Sequence, residues 1–411
     1  MKISLQLDRR TYSPGDLTRY AWLRIEVPRK PQAAPRPPLD IALVLDRSGS
    51  MGGEKIALAR EAAKRVVALL RDTDRCAFVA YDDEVITPVR SGFVTDAHRQ
   101  LLYSALDELE ARASTDLFGG WTAGAEEVSA DAEGRIQRVL LLSDGLANQG
   151  LVDHAQILAH VRELAQRGVG TSTFGVGRDF DELLMASMAE AGSGHFYFIE
   201  QARQIPDFLT SELGEILATI ARSAKVRIAA PQSIRIDCIN GLPTSHEAFD
   251  LGDLAEGSTI DLCFALEIPE TFEGPLTLQA TLAWTDLDGQ EQTTVDEAAV
   301  AASDGTSLLS PLNESVIGQV ARVRAARARE EALTLNRDGQ FKKAPAVIEA
   351  EMAQLTEFGD LPAVQSEVAS LRGLLSSFAE PMDAIDAKKM RMASYAVRRS
   401  RHDPSAYPKE R

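Results

Sequence analysis

DIALVLDRSGSMGGEKIALAREAAKRVVALL, Asp40 to Leu70, is the stretch that decides the fold. Ile41–Leu45 is an unbroken apolar run between two aspartates, the pattern of a strand buried on both faces. Ile56, Ala59, Ala63, Val66 and Leu70 then recur at helical spacing and form one apolar stripe. Between strand and helix lies Asp46-Arg47-Ser48-Gly49-Ser50, with one carboxylate and two hydroxyls at alternate positions.

The same alternation continues downstream. Strands are expected at 76–81, 138–143, 170–176 and 195–199, with helices near 96–110, 120–131, 153–167, 181–190 and 205–221. Strand and helix in turn give an α/β fold with a doubly wound, mostly parallel sheet. Ligands of such a sheet gather outside the carboxyl ends of its strands, which is where the D-x-S-x-S turn stands. Alternate side chains of an extended turn point the same way, so Asp46, Ser48 and Ser50 can converge. Hard oxygen donors suit Mg²⁺ or Mn²⁺. STDLFGGW offers Thr115 in another loop, and LLLSDGLANQG places Asp144 directly after an apolar run. An EF-hand does not fit the turn: counting from Asp46, the position that needs Gly is Met51 and the one that needs Glu is Ala57.

D-x-S-x-S, a mid-domain Thr and an Asp ending a later strand together resemble the metal-ion-dependent adhesion site of the von Willebrand factor A family. The resemblance covers residues 39–221. It implies that Ser48, Ser50 and Thr115 bind the ion directly, while Asp46 and Asp144 act largely through water. It also implies a binding module whose ion accepts an Asp or Glu of a protein partner, with AAA+ ATPases or signalling enzymes as partner classes by analogy.

Outside that segment the pattern changes. Residues 2–7 and 18–27 read as strands around the Pro14-Gly15 turn, and PRKPQAAPRPP (28–38) is a stiff connector. Residues 225–302 return to short alternating segments, an antiparallel region that the N-terminal strands complete, so the α/β domain is inserted in a β-sandwich. Helical patterns resume near 312, with RDGQFKK as the turn of an αα-hairpin and a third helix at 361–377. The expected organisation is therefore N-terminal sandwich strands (1–30), the α/β domain (39–221), the rest of the sandwich (222–305), a helical region (310–380) and a basic tail (381–411). The arginines at 322, 324, 327 and 329 read as a solvated helix face, and the tail as mobile or docked on the acidic body.

A formal charge of −17 argues against nucleic acid as a partner. Three cysteines, Cys76, Cys238 and Cys263, lack metal-ligand spacing and read as buried thiols, with a Cys238–Cys263 bridge between neighbouring strands as the alternative. The opening MKISLQLD alternates like a strand, with no signal-peptide core, and no apolar run approaches the ~20 residues that cross a bilayer. A cytoplasmic location is expected. Walker A, G-x-S-x-G and H-E-x-x-H are absent, and His195 reads as an ordinary strand-end residue, so no enzyme activity is expected. The alternatives are a metal-dependent enzyme acting on a phosphate or acyl substrate, or a scaffold with a silent site.

Overall fold

The apolar run of the quoted stretch lies inside a six-stranded sheet with both faces covered: Ile41, Leu43 and Leu45 join one core cluster, while Ala42 and Val44 join another. The computed structural model describes residues 1–12, 18–29, 36–112, 114–129, 134–245, 247–272, 274–302 and 310–400. The Pro14-Gly15 turn, most of the proline-rich connector and the tail beyond residue 400 lie outside them.

The chain opens with β1 (Lys2–Leu7), β2 (Thr11–Tyr12) and β3 (Thr18–Glu26), which belong to a second unit taken up below. At the described end of the connector, Arg36 clasps Asp74 through both guanidinium NH₂ nitrogens (2.8 and 2.5 Å), and Asp74 also accepts from Leu39 N. The sheet consists of β4 (Leu39–Asp46), β5 (Arg75–Tyr81), β6 (Val85–Phe93), β7 (Ile136–Ser143), β8 (Val169–Val176) and β9 (Ser193–Ile199). Its order is β6-β5-β4-β7-β8-β9, with β6 antiparallel to β5 and the others parallel. The chain winds outward from β4 to one edge, returns to β7 beside β4, and winds outward to the other. The carboxyl ends of β4 and β7 therefore flank the topological switch point, the usual ligand crevice of such sheets.

Helices α1 (Glu54–Leu69), α2 (Asp96–Asp107), α3 (Leu117–Ser129), α4 (His154–Gln166), α5 (Glu182–Ala191) and α6 (Ile205–Leu217) cover the sheet. Ile56, Ala59, Ala63 and Val66 of α1 are buried as the stripe predicts, as is Leu70 just beyond its end. Glycine lets α3 approach unusually closely: a Cβ on Gly124 would fall 2.3 Å from a Val44 methyl, and one on Gly120 2.5 Å from the Tyr81 ring.

Two details differ from expectation. Strand β6 carries Pro88 and is only partly buried, so this edge strand has no apolar run to reveal it. The helix expected at 205–221 ends at Leu217; from Thr219 the chain is β10 (Thr219–Ala229), whose buried Thr219, Ala221, Ala224 and Val226 mark a strand.

Strand β10 leads into the second unit. There β11 (Arg235–Cys238), β12 (Thr244–Ser245), β13 (Ala248–Ala255), β14 (Thr259–Glu267), β15 (Leu276–Thr285) and β16 (Glu291–Ala302) join the N-terminal strands in two sheets, β1-β3-β14-β11 and β12-β13-β10-β15-β16-β2. Strand β3 pairs antiparallel with both β1 and β14, so the N-terminal strands do complete the sandwich. Phe249 and Phe264 meet between the two sheets with ring centroids 5.5 Å apart.

Helices α7 (Glu314–Arg337), α8 (Lys343–Thr356), α9 (Pro362–Arg372), α10 (Leu375–Phe378) and α11 (Ala384–Arg398) follow. They belong to the same compact unit as the sandwich: Val316, Val320 and Val323 of α7 pack on Trp22 and Cys263. The helix expected at 361–377 is divided between α9 and α10. The arginine series is not a uniformly solvated face. Arg324 grips Glu351 through two nitrogens (2.8 and 3.1 Å), and Arg329 bonds Glu367 at 2.9 Å, so two of the four tie α7 to its neighbouring helices. Of the two readings of the basic segment, mobile or docked, the described part takes the docked one. Helix α11 packs on α7 with Lys388, Arg391 and Tyr395 buried, and Arg398 pairs with Glu330 at 2.7 Å. Composition counts those cations but cannot see their partners.

Candidate metal centre

Asp46 ends β4 and is fully buried. Its Oδ1 accepts from Ser48 N (2.7 Å) and its Oδ2 from Ser143 Oγ (2.6 Å). The next residues form a single 3₁₀ turn, Gly49–Met51, rather than the extended turn expected, and this brings Ser48 Oγ and Ser50 Oγ within 3.2 Å. Ser50 Oγ donates to Oδ1 of Asp144, the first residue after β7, at 2.6 Å. Thr115 lies just before α3 and is buried. Gly145 shows where the hydroxyls meet: a Cβ there would stand 3.2 Å from Thr115 Oγ1, 3.9 Å from Ser50 Oγ and 4.0 Å from Ser48 Oγ. All five predicted residues are therefore gathered at the switch point.

Residues not singled out from the sequence hold these loops in place. Thr115 N donates to Asn148 Oδ1 (3.0 Å), and Asn148 N returns a bond to Thr115 O (3.3 Å). Arg47, the residue inside D-x-S, turns inward to Asp82: its Nε lies 3.1 Å from Oδ2, and Arg112 Nε reaches the same oxygen at 3.3 Å. Asp82 O accepts from Asp116 N, so one buried carboxylate residue joins the D-x-S-x-S, β5–β6 and Thr115 loops. A doubled acid after an apolar strand, YDDE, is the only sequence signal for Asp82.

The electrostatics fit a cation. Burial above all, with the nearby Asp144 charge adding to it, pushes the Asp46 carboxyl up to about 6 against the hydrogen bonds from Ser143 and Ser48. Ser48 N and Ser143 Oγ, which donate to Asp46, are neutral, so near pH 7 its charge is held at a cost that a bound cation would relieve. Among the described residues no group of three or more His, Cys, Asp or Glu is arranged to hold a metal, so the hydroxyl oxygens determine the chemistry. Three hydroxyls and two carboxylates are hard donors of the kind Mg²⁺ and Mn²⁺ take.

Ser143 Oγ donates its hydrogen bond to Asp46 rather than to a histidine. His195 is more than a strand-end residue. Its Nδ1 lies 2.6 Å from Glu212 Oε2, which also accepts from Tyr197 OH (2.7 Å), while Ser172 Oγ donates to Oε1 (2.5 Å). The buried carboxylate is the hub, stapling α6 to β8 and β9. The three cysteines are free and buried, and burial pushes the Cys238 thiol up to about 11.

The family pattern described as von Willebrand factor type A domain matches residues 40–211. This chain carries a von Willebrand factor type A (VWA) domain. Among curated proteins, the uncharacterized Escherichia coli protein YfbK is 29% identical over 251 residues, which is 56% of this chain and 42% of YfbK. The chain spans less than half the length of the first curated relatives it matches. Among solved structures, a von Willebrand factor type A protein from Catenulispora acidiphila has a TM-score of 0.73 at 17% identity, covering 95% of this chain and 96% of that one. The ArnB paralog VWA2 from Sulfolobus acidocaldarius reaches 0.64 at 16% identity, covering 96% and 97%. These likenesses extend beyond the VWA domain and concern the fold alone. No helix among the described residues is long and apolar enough to cross a membrane.

Proposed function

We propose that the VWA domain is a metal-dependent protein-binding module. Domains of this family are often protein-interaction modules, which supports the general class. The observation that carries the metal-dependent reading is the convergence of Ser48, Ser50 and Thr115 around Gly145, beside the buried Asp46 and Asp144. Ser48, Ser50 and Thr115 would hold Mg²⁺ or Mn²⁺ directly, and Asp46 and Asp144 would supply the countercharge. When bound, the ion supplies a Lewis-acidic position for a carboxylate. Neutral hydroxyls hold such an ion without quenching it, so it attracts an Asp or Glu of a protein partner even though the chain as a whole is acidic. By family analogy the partner is an AAA+ ATPase or a signalling enzyme, and the setting is the cytoplasm. The role proposed is adaptor or assembly factor, not enzyme.

A pull-down from native lysate with Mg²⁺ and with EDTA tests this. A partner retained only with Mg²⁺, and lost with Asp46→Ala or Thr115→Ala, supports the proposal. Equal retention under both conditions replaces it with a scaffold whose site is silent.

A further inference from the structure

Lys55 occupies the first turn of α1, where the positive end of the helix dipole makes a cation unfavourable. Something other than helix formation must account for its position. Its Nζ donates to Asp144 Oδ2 and, at 3.2 Å, to Ser50 O. The lysine side chain is 29% exposed, whereas the carboxylate it meets is fully buried. Each oxygen of Asp144 thus has its own donor: Oδ1 takes the Ser50 hydroxyl and Oδ2 the ammonium.

We propose that Lys55 is a resident counter-cation of Asp144 that lowers the affinity of the site for a divalent ion and leaves the loaded site positively charged. This rests on reading the five gathered residues as a cation site. Two carboxylates and one ammonium carry one negative charge between them, and a divalent ion turns that into one positive charge. Without the ammonium the loaded site would be formally neutral, and the ion's pull on a partner's carboxylate would be weaker. Weak metal binding and strong selection for an acidic ligand are then two effects of the same side chain.

Titration of the full chain with Mn²⁺ alone, followed by calorimetry or the Mn²⁺ paramagnetic resonance signal, tests the proposal. Lys55→Met should tighten Mn²⁺ binding on the order of tenfold, the scale expected for removing one charge beside a divalent ion. Lys55→Arg, which keeps the charge, should stay near wild type. In EDTA, Lys55→Met should melt below wild type because Asp144 has lost its partner, and saturating Mn²⁺ should close that gap. Should Lys55→Met fold poorly, Lys55→Gln repeats the comparison. Binding by Lys55→Met no tighter than wild type overturns the counter-cation role while leaving the cation site intact. Absence of Mn²⁺ binding to wild type, or undiminished binding to Asp46→Ala, overturns the site itself and this role with it.

Discussion

Replacing Asp46 by Asn should make the metal-free protein more stable near neutral pH while abolishing its response to Mg²⁺. Burial moves the Asp46 carboxyl from 3.8 up to about 6. Raising a pKa by one costs the ionised form about 1.4 kcal/mol, so the buried carboxylate carries a penalty of about 3 kcal/mol. The amide of Asn has the same shape. It can accept from Ser48 N and donate to Ser143 Oγ, so little hydrogen bonding is lost. A net gain of about 1–3 kcal/mol corresponds to a rise of roughly 3–10 °C in the melting temperature of a domain this size. Wild type should gain about 2.7 kcal/mol at a hundredfold excess of Mg²⁺ over Kd, and the variant nothing. The pH dependence follows from the raised carboxyl. In EDTA wild type loses stability as pH rises from about 4 through 6, the penalty is complete above that, and the two proteins converge below about pH 4. Thermal melts in EDTA and in Mg²⁺ at several pH values measure all of this. A variant that melts lower in EDTA at pH 7.5, or that keeps the Mg²⁺ response, refutes the reasoning.

Thr115→Ala should shrink the Mg²⁺-induced rise in melting temperature without changing the melt in EDTA by more than about 1 kcal/mol, since it removes one hydroxyl donor; an unchanged rise would exclude Thr115 as a ligand. Glu212→Gln should cost about 3 kcal/mol in urea unfolding at pH 7, because His195, Ser172 and Tyr197 lose a shared ionised acceptor. Despite burial, His195 before Arg138 and the hydrogen bonds hold the Glu212 carboxyl well below the usual range. Its stabilisation is therefore complete above about pH 4.5 and lost as pH falls further, a slope that Glu212→Gln should lack. Arg398→Ala should destabilise the sandwich and helical unit by about 2 kcal/mol, because it removes a largely buried ion pair with Glu330 and the hydrogen bond from Arg398 Nη1 to Asn240 O; a change within 0.5 kcal/mol, roughly a neutral surface substitution, would contradict that.

What can be read in advance depends on how local the signal is. The run Ile41–Leu45 is apolar at every position because both faces are covered, so it marks a buried strand by itself. Asp46, Ser48 and Ser50 lie within one turn, and Asp144 follows a strand of the same kind, so the centre is visible as pattern plus placement. Lys55 is not, because its partner lies 89 positions away and a lone lysine in a helix reads as solvated. Strand β6 is an edge, and its polar face erases the periodicity. The arginines of α7 mislead, and those of α11 leave mobile and docked undecided, for a related reason. A charge is legible in sequence, whereas the carboxylate that justifies burying it, such as Glu351 or Glu330, is a tertiary fact.

The pairing of β3 with β14 matters for how the chain is made. Glu26 sits opposite Thr259, so on the ribosome β3 exposes one edge throughout synthesis of the VWA domain. Loop closure over that distance grows only logarithmically with length, and a folded domain in the interval shortens the free chain further. The greater hazard is another chain. While β3 waits, a finished β14 from a neighbouring molecule offers the same register, so in crowded synthesis strand exchange competes with closure within one chain.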